Sequence, residues 1–248
     1  MQSFDLSEIN CLGYNIFTDR LSRILVKDKL LINTINQYSY CIAEKDQDFK
    51  KALLESDVLL PDGVGIVWAA RFLKGEKIKK VAGADIHDFF LKELNKNNGS
   101  CFYMGSSEKT LQKIKVRLTN EYPNIRLETY SPPFKKSFSD EDNKEILRRV
   151  NNFKPDVLFV GMTAPKQEKW SYNHFEKLNA TYICSIGAVF DFYAGTVKRP
   201  GIVWQNMGLE WMGRLLKEPK RMYKRYINNG VLFAYYLFRE KTRMKIAK

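Results

Sequence analysis

A chain of 248 residues that is 44% hydrophobic can hold one large domain plus an appendage, and is too apolar for a disordered polymer. Its +13 charge is uneven: residues 198–248 carry 13 Lys+Arg against 3 Asp+Glu, so a basic, anion-seeking tail follows a nearly neutral body. Four separated cysteines (Cys11, Cys41, Cys101 and Cys184) with no CxxC pair, no signal-peptide pattern and no apolar run of 18 residues leave a reduced, cytosolic, non-spanning protein as the expectation.

The first predicted element is a short apolar strand over 30–35. A helix over 37–55, a strand over 58–60 and helices over 65–73 and 84–95 follow. The order continues with strand 100–104, helix 107–121, strand 125–130 and helix 140–152. Strand 157–160, helix 165–178 and strand 182–186 complete it. This βαβα order implies an α/β fold: a Rossmann-like, mostly parallel sheet with helices on both faces. Residues 1–195 read as a core and 196–248 as a basic helical appendage, with no repeat or low-complexity linker.

In such sheets ligands bind beyond the carboxyl ends of the strands. There "NTINQ" supplies Thr34 and Asn36, and "PDGVG" supplies Asp62. "GSSEKT" puts Gly105 and Ser106 before a helix, where backbone N–H groups suit phosphate. "VGMTAPKQEKW" sets Thr163 or Ala164 near a helix cap, Pro165 at the first helical position and Gln167 in the first turn. "GAVFDFYAG" contributes Gly187, Asp191 and Gly195. Each turn alone also fits a capped helix with nothing bound; five on one rim point to a ligand.

Neither GxGxxG nor GxxxxGK[ST] occurs, which counts against a dinucleotide dehydrogenase. His87 and His174 lie within helical patterns and read as solvated or core-edge side chains. Two DxD triplets, Asp46-Gln47-Asp48 and Asp140-Glu141-Asp142, have the form of a metal–diphosphate motif. Both lie away from strand ends and read as solvated helix ends.

Seven stretches together resemble the WecG/TagA/CpsF family of bacterial glycosyltransferases. They are "INTIN" (32–36), "LLPDGVGIVWAARFL" (59–73), "VAGADI" (81–86), "FYMGSS" (102–107), "VGMTAPKQEKW" (160–170), "SIGAVFDFYAGTVKRP" (185–200) and "GLEWMGRLLKEPKRMYKRY" (208–226). The resemblance implies an inverting, metal-independent transfer with no cofactor, from a UDP-sugar to an undecaprenyl-diphosphate-linked sugar. It implies N-acetylmannosamine or a related hexose, in cell-wall or exopolysaccharide synthesis at the cytoplasmic face of the membrane. By the same resemblance, Asp62 matches the general base, with a turn aspartate bonding its own backbone as the rival role. Thr34 and Asn36 match residues near the acceptor or donor sugar, and a structural role for Asn36 is a close rival. Gln167, Thr163 and the helix start match a nucleotide-sugar contact. Gly187, Asp191 and Gly195 match the nucleotide-binding segment; Asp191 suits a uracil N–H or ribose hydroxyl, or a helix cap.

The tail reads as an amphipathic helix over 208–226. Arg214, Arg221 and Arg225 share one face if the helix is unbroken, and suit a diphosphate, although Pro219 can kink it or start a second helix. Their rival role is a solvated basic face. The apolar run "VLFAYYLF" (231–238) suits insertion at an anionic membrane surface, or a buried docking helix or oligomer contact. A homo-oligomer is compatible with such an appendage. Nucleic-acid binding is the alternative that the basic tail raises; it is disfavoured because the charge flanks an apolar cluster and no reader motif occurs.

Overall fold

The computed structural model describes residues 6–26, 28–197, 201 and 229–246. A two-stranded antiparallel hairpin, β1 (Glu8–Cys11) and β2 (Tyr14–Phe17), precedes the main sheet. The main sheet has six parallel strands: β3 (Leu30–Ile35), β4 (Val58–Pro61), β5 (Ser100–Gly105), β6 (Arg126–Tyr130), β7 (Val157–Gly161) and β8 (Tyr182–Ser185). Their spatial order is β4-β3-β8-β7-β5-β6. The expected α/β architecture is therefore present. The central strands are apolar on both sides because helices cover both faces: every residue of β5 and β7 is buried.

On one face lie α4 (Gly83–Lys96), α5 (Glu108–Glu121) and α8 (Gly187–Tyr193), packed through Phe90, Ile114, Leu118 and Phe190. On the other lie α6 (Asp140–Phe153) and α7 (Lys166–His174), packed through Ile146, Val150 and Trp170. Beside them, α1 (Gln37–Ala43), α2 (Gln47–Leu54) and α3 (Val64–Lys74) close a second core around Tyr40, Phe49 and Ile66. The helix α9 (Asn229–Ile246) docks on this core through Phe233, whose ring meets Tyr40 edge-on at 5.5 Å. Its opposite face leaves Val231, Tyr235 and Phe238 exposed.

Several elements differ from expectation. The helix expected over 37–55 is two helices, because Asp46 caps the second by accepting from the Phe49 N–H at 3.0 Å. The helix expected over 165–178 ends at His174 and passes into a 3-10 turn, Phe175–Lys177. Pro165 is its N-cap rather than its first helical residue, and the Ala164–Pro165 peptide is cis. His87 is buried in the core, not solvated: its Nε2 lies 2.6 Å from the Tyr103 hydroxyl. Burial pushes its pKa down to about 3. His174 is half-buried and bonds the Trp170 carbonyl at 2.9 Å. Both DxD triplets stand at helix starts, with Asp142 closing a capping box with Ser139. Among the described residues no group of three or more His, Cys, Asp or Glu is placed to hold a metal ion.

Candidate active site

The sheet has a topological switch between β5 and β7. From β5 the chain runs through α5 to β6 on one side; from β7 it runs through α7 to β8 on the other. The helices leave to opposite faces and open a crevice at the strand ends, where α/β folds bind ligands. Gly105 and Gly161 pair across this point. Gly105 has φ +114°, and a Cβ there would collide with the Gly161 carbonyl. Only glycine lets the two backbones come so close.

One cluster forms where β3 and β4 end. Their register pairs Thr34 with Leu60 and Ile35 with Pro61. Asp62 follows at once, and its N–H donates to the Ile35 carbonyl at 2.9 Å. Thr34 and Asp62 are both half-buried. Asn36 caps α1: its Oδ1 accepts from the Tyr38 and Ser39 N–H groups, each at 3.0 Å. Its own N–H donates to the Ser39 hydroxyl at 2.8 Å, which completes a capping box. The structural role foreseen for Asn36 is therefore filled.

A second cluster forms where β7 and β8 end. The exposed Thr163 opens the turn into α7, its carbonyl accepting from the Lys166 N–H at 2.9 Å. Gln167 is only 6% exposed. Its Oε1 accepts from the Met162 N–H at 3.2 Å and the Gly187 N–H at 3.0 Å, tying the two loops together. Its Nε2 donates to Glu168 Oε1 at 2.9 Å. Gly187 begins α8, where a Cβ would collide with the Met162 carbonyl.

Asp191 and Gly195 lie in and just after the last turn of α8, the helix that starts at Gly187. Asp191 is not a cap at the start of the helix. Its Oδ1 accepts from the Thr196 hydroxyl at 3.2 Å, and its carbonyl accepts from the Thr196 N–H at 3.0 Å. Arg214, Arg221, Arg225 and the helix expected over 208–226 lie outside the described residues.

Sequence reasoning missed Glu168, which is 2% exposed and pushed up to about 7 by burial. Nothing in "PKQEKW" signals this, since a glutamate in a first turn normally faces water.

The chemistry of the rim is polar and narrow. A carboxylate and a hydroxyl stand at one end, and loops braced by close glycine contacts stand at the other. A family model described as "Glycosyl transferase WecG/TagA/CpsF family" matches residues 3–247. The N-acetylglucosaminyldiphosphoundecaprenol N-acetyl-beta-D-mannosaminyltransferase of Staphylococcus aureus (strain MW2) is 27% identical over 221 residues, which covers 89% of this chain and 84% of that protein. The protein of the same description from Bacillus subtilis (strain 168) is 28% identical over 225 residues, covering 89% and 86%. A match over nearly the whole length, on a parallel sheet with its polar residues at the strand ends, places this chain in the WecG/TagA/CpsF family of glycosyltransferases.

Proposed function

We propose that the chain transfers N-acetylmannosamine, with inversion, from a UDP-sugar to the N-acetylglucosamine of an undecaprenyl-diphosphate-linked acceptor. The observation that carries this reading is that Asp62 directly follows β4 and is tied by its N–H to the carbonyl of Ile35, the neighbour of Thr34 at the end of β3, in a chain whose relatives are named for N-acetylmannosamine transfer. Asp62 takes the proton of the acceptor hydroxyl as that oxygen attacks the anomeric carbon. The bond from that carbon to the UDP oxygen breaks on the opposite face, and UDP leaves with the electron pair. Thr34 and Asn36 orient the sugars. Gly105, Thr163, Gln167, Gly187, Asp191 and Gly195 belong to the UDP side, where the start of α7 favours negative charge. Arg214, Arg221 and Arg225 bind the acceptor diphosphate through paired charge-assisted bonds.

The acceptor is lipid-linked, so the enzyme works as a peripheral protein at the inner face of the plasma membrane. Among the described residues no helix is long and apolar enough to cross a bilayer. The test is UDP release from a panel of UDP-sugars, with and without an undecaprenyl-diphosphate-N-acetylglucosamine analogue in detergent. Acceptor-dependent release from UDP-N-acetylmannosamine is expected. Acceptor-dependent release from a different donor alone would replace the sugar, and no release from folded protein that fails to bind UDP would overturn the reading.

A further inference from the structure

Among the described residues Glu168 is the only buried carboxylate. Oε1 accepts from Gln167 Nε2 at 2.9 Å, and Oε2 has no hydrogen-bond partner among the described residues. A carboxyl so sparsely bonded lowers stability, and an apolar side chain of equal length would fill the space without that cost.

What Glu168 does hold is the Gln167 amide. That amide has an accepting and a donating end. Its oxygen joins the Met162 N–H, just after β7, to the Gly187 N–H, just after β8. Glu168 receives the donating end, so all three bonds agree on one orientation of the amide and polarise it in the same sense. The two loops flank the strand ends beside the Gly105–Gly161 switch point. A shift of either loop would displace Thr163 and the start of α8 together.

We propose that Glu168 is a positioning residue for the transfer: by fixing the Gln167 amide it sets the spacing of the β7–α7 and β8–α8 loops that frame the nucleotide-sugar. This rests on the reading that the UDP-sugar binds at those loops. Burial holds the carboxyl near neutrality, at about 7, and Oε1 remains an acceptor whether or not Oε2 carries a proton.

Full-length Glu168→Met keeps the side-chain length and removes the acceptor; Glu168→Gln keeps an acceptor. UDP affinity by calorimetry, donor KM and kcat, and the thermal transition are measured for both. In Glu168→Met, UDP affinity falls and donor KM rises about tenfold, the value of one hydrogen bond, while kcat changes less than ~3-fold. Glu168→Gln stays within ~3-fold of wild type in UDP affinity, donor KM and kcat. Added to Gln167→Ala, Glu168→Met causes no further loss, since it acts through that amide. If Glu168→Met does not fold, Glu168→Asp, which withdraws the acceptor by one methylene, makes the same test. Folded Glu168→Met with wild-type UDP affinity overturns the proposal, as does additivity with Gln167→Ala. Wild-type protein that does not bind UDP instead removes the donor-site reading, and this inference with it.

Discussion

Asp62 stands where β4 ends, with its backbone tied to β3. Asp62→Asn preserves shape and removes the carboxylate's charge and its capacity to take a proton. Turnover is expected to fall about 10²–10⁴-fold with UDP affinity and melting temperature unchanged; near wild-type turnover would take Asp62 out of the mechanism. Glu168 carries a second prediction, for stability against pH. Its folded-state pKa is raised from 4.5 to about 7, so between those values the native state binds more protons than the unfolded one. Its contribution is fully present below about pH 4.5 and is lost as pH rises through 7. Glu168→Gln, which does not titrate, gains on wild type across that window by about 3 kcal/mol. Urea unfolding of both proteins at pH 5 and pH 8 checks it, and an equal difference at both pH values would contradict it. His87 runs the other way, being held neutral, and its contribution is lost as pH falls below 6.5. Because His87 is common to both proteins, it cancels in the comparison. Asp62, Gly105 and Gly187 were legible in the sequence because turn chemistry is local. Glu168 was not, because its burial depends on β7 and β8 closing over α7.

At the element scale, the strands were read best because each is a short apolar run bounded by polar residues, as in "VLFVG". The hairpin β1–β2 escaped because its two-residue turn is Leu12-Gly13, with φ 57° and 82°. The backbone is the usual hairpin turn, but Asn or Asp normally marks it and leucine does not. Helix α8 escaped because seven residues starting at a glycine give too little periodicity to see. The break between α1 and α2 rests on Asp46, which also pairs with Lys169 of α7 at 2.9 Å, a contact distant in sequence. Capping also separates two roles for Asn36. Asn36→Ala removes the cap and costs about 1 kcal/mol, whereas Asn36→Asp retains it. Activity that falls at least ~10-fold in both variants, with thermal stability lost only in the alanine one, is the result expected if the Asn36 amide touches substrate. Full activity in Asn36→Asp would leave the cap as its sole task.

On the scale of the whole molecule, the question is how a protein whose proposed site lies at the strand ends would meet the lipid-linked acceptor proposed for it. Helix α9 sits against α1 and α3, so the end of the chain is packed on the core beside β4 rather than on the α4–α5–α8 face. Phe72 and Phe238 meet edge-on at 5.6 Å, and Lys241 donates to the Phe72 carbonyl at 2.7 Å. Around this contact Trp68 is 73% exposed, Tyr235 58% and Phe238 64%. Aromatic side chains beside lysine and arginine suit an interface with one apolar and one wet, negatively charged side. A docking helix was one reading of "VLFAYYLF", but its seat against α1 and α3 was not legible, because it requires α3 and α9 to be brought together over more than 150 intervening residues. Insertion at the membrane therefore predicts that full-length Trp68→Ser/Phe238→Ser loses at least ~10-fold in binding to vesicles containing anionic lipid, since two large apolar groups no longer leave water. UDP release with a short, soluble acceptor analogue stays unchanged in the same variant. Vesicle flotation at low and high salt separates the contributions: the aromatic loss persists at high salt, whereas binding through the basic tail is screened. If the double variant floats like wild type but elutes as a smaller species by light scattering, this face instead joins copies of the chain.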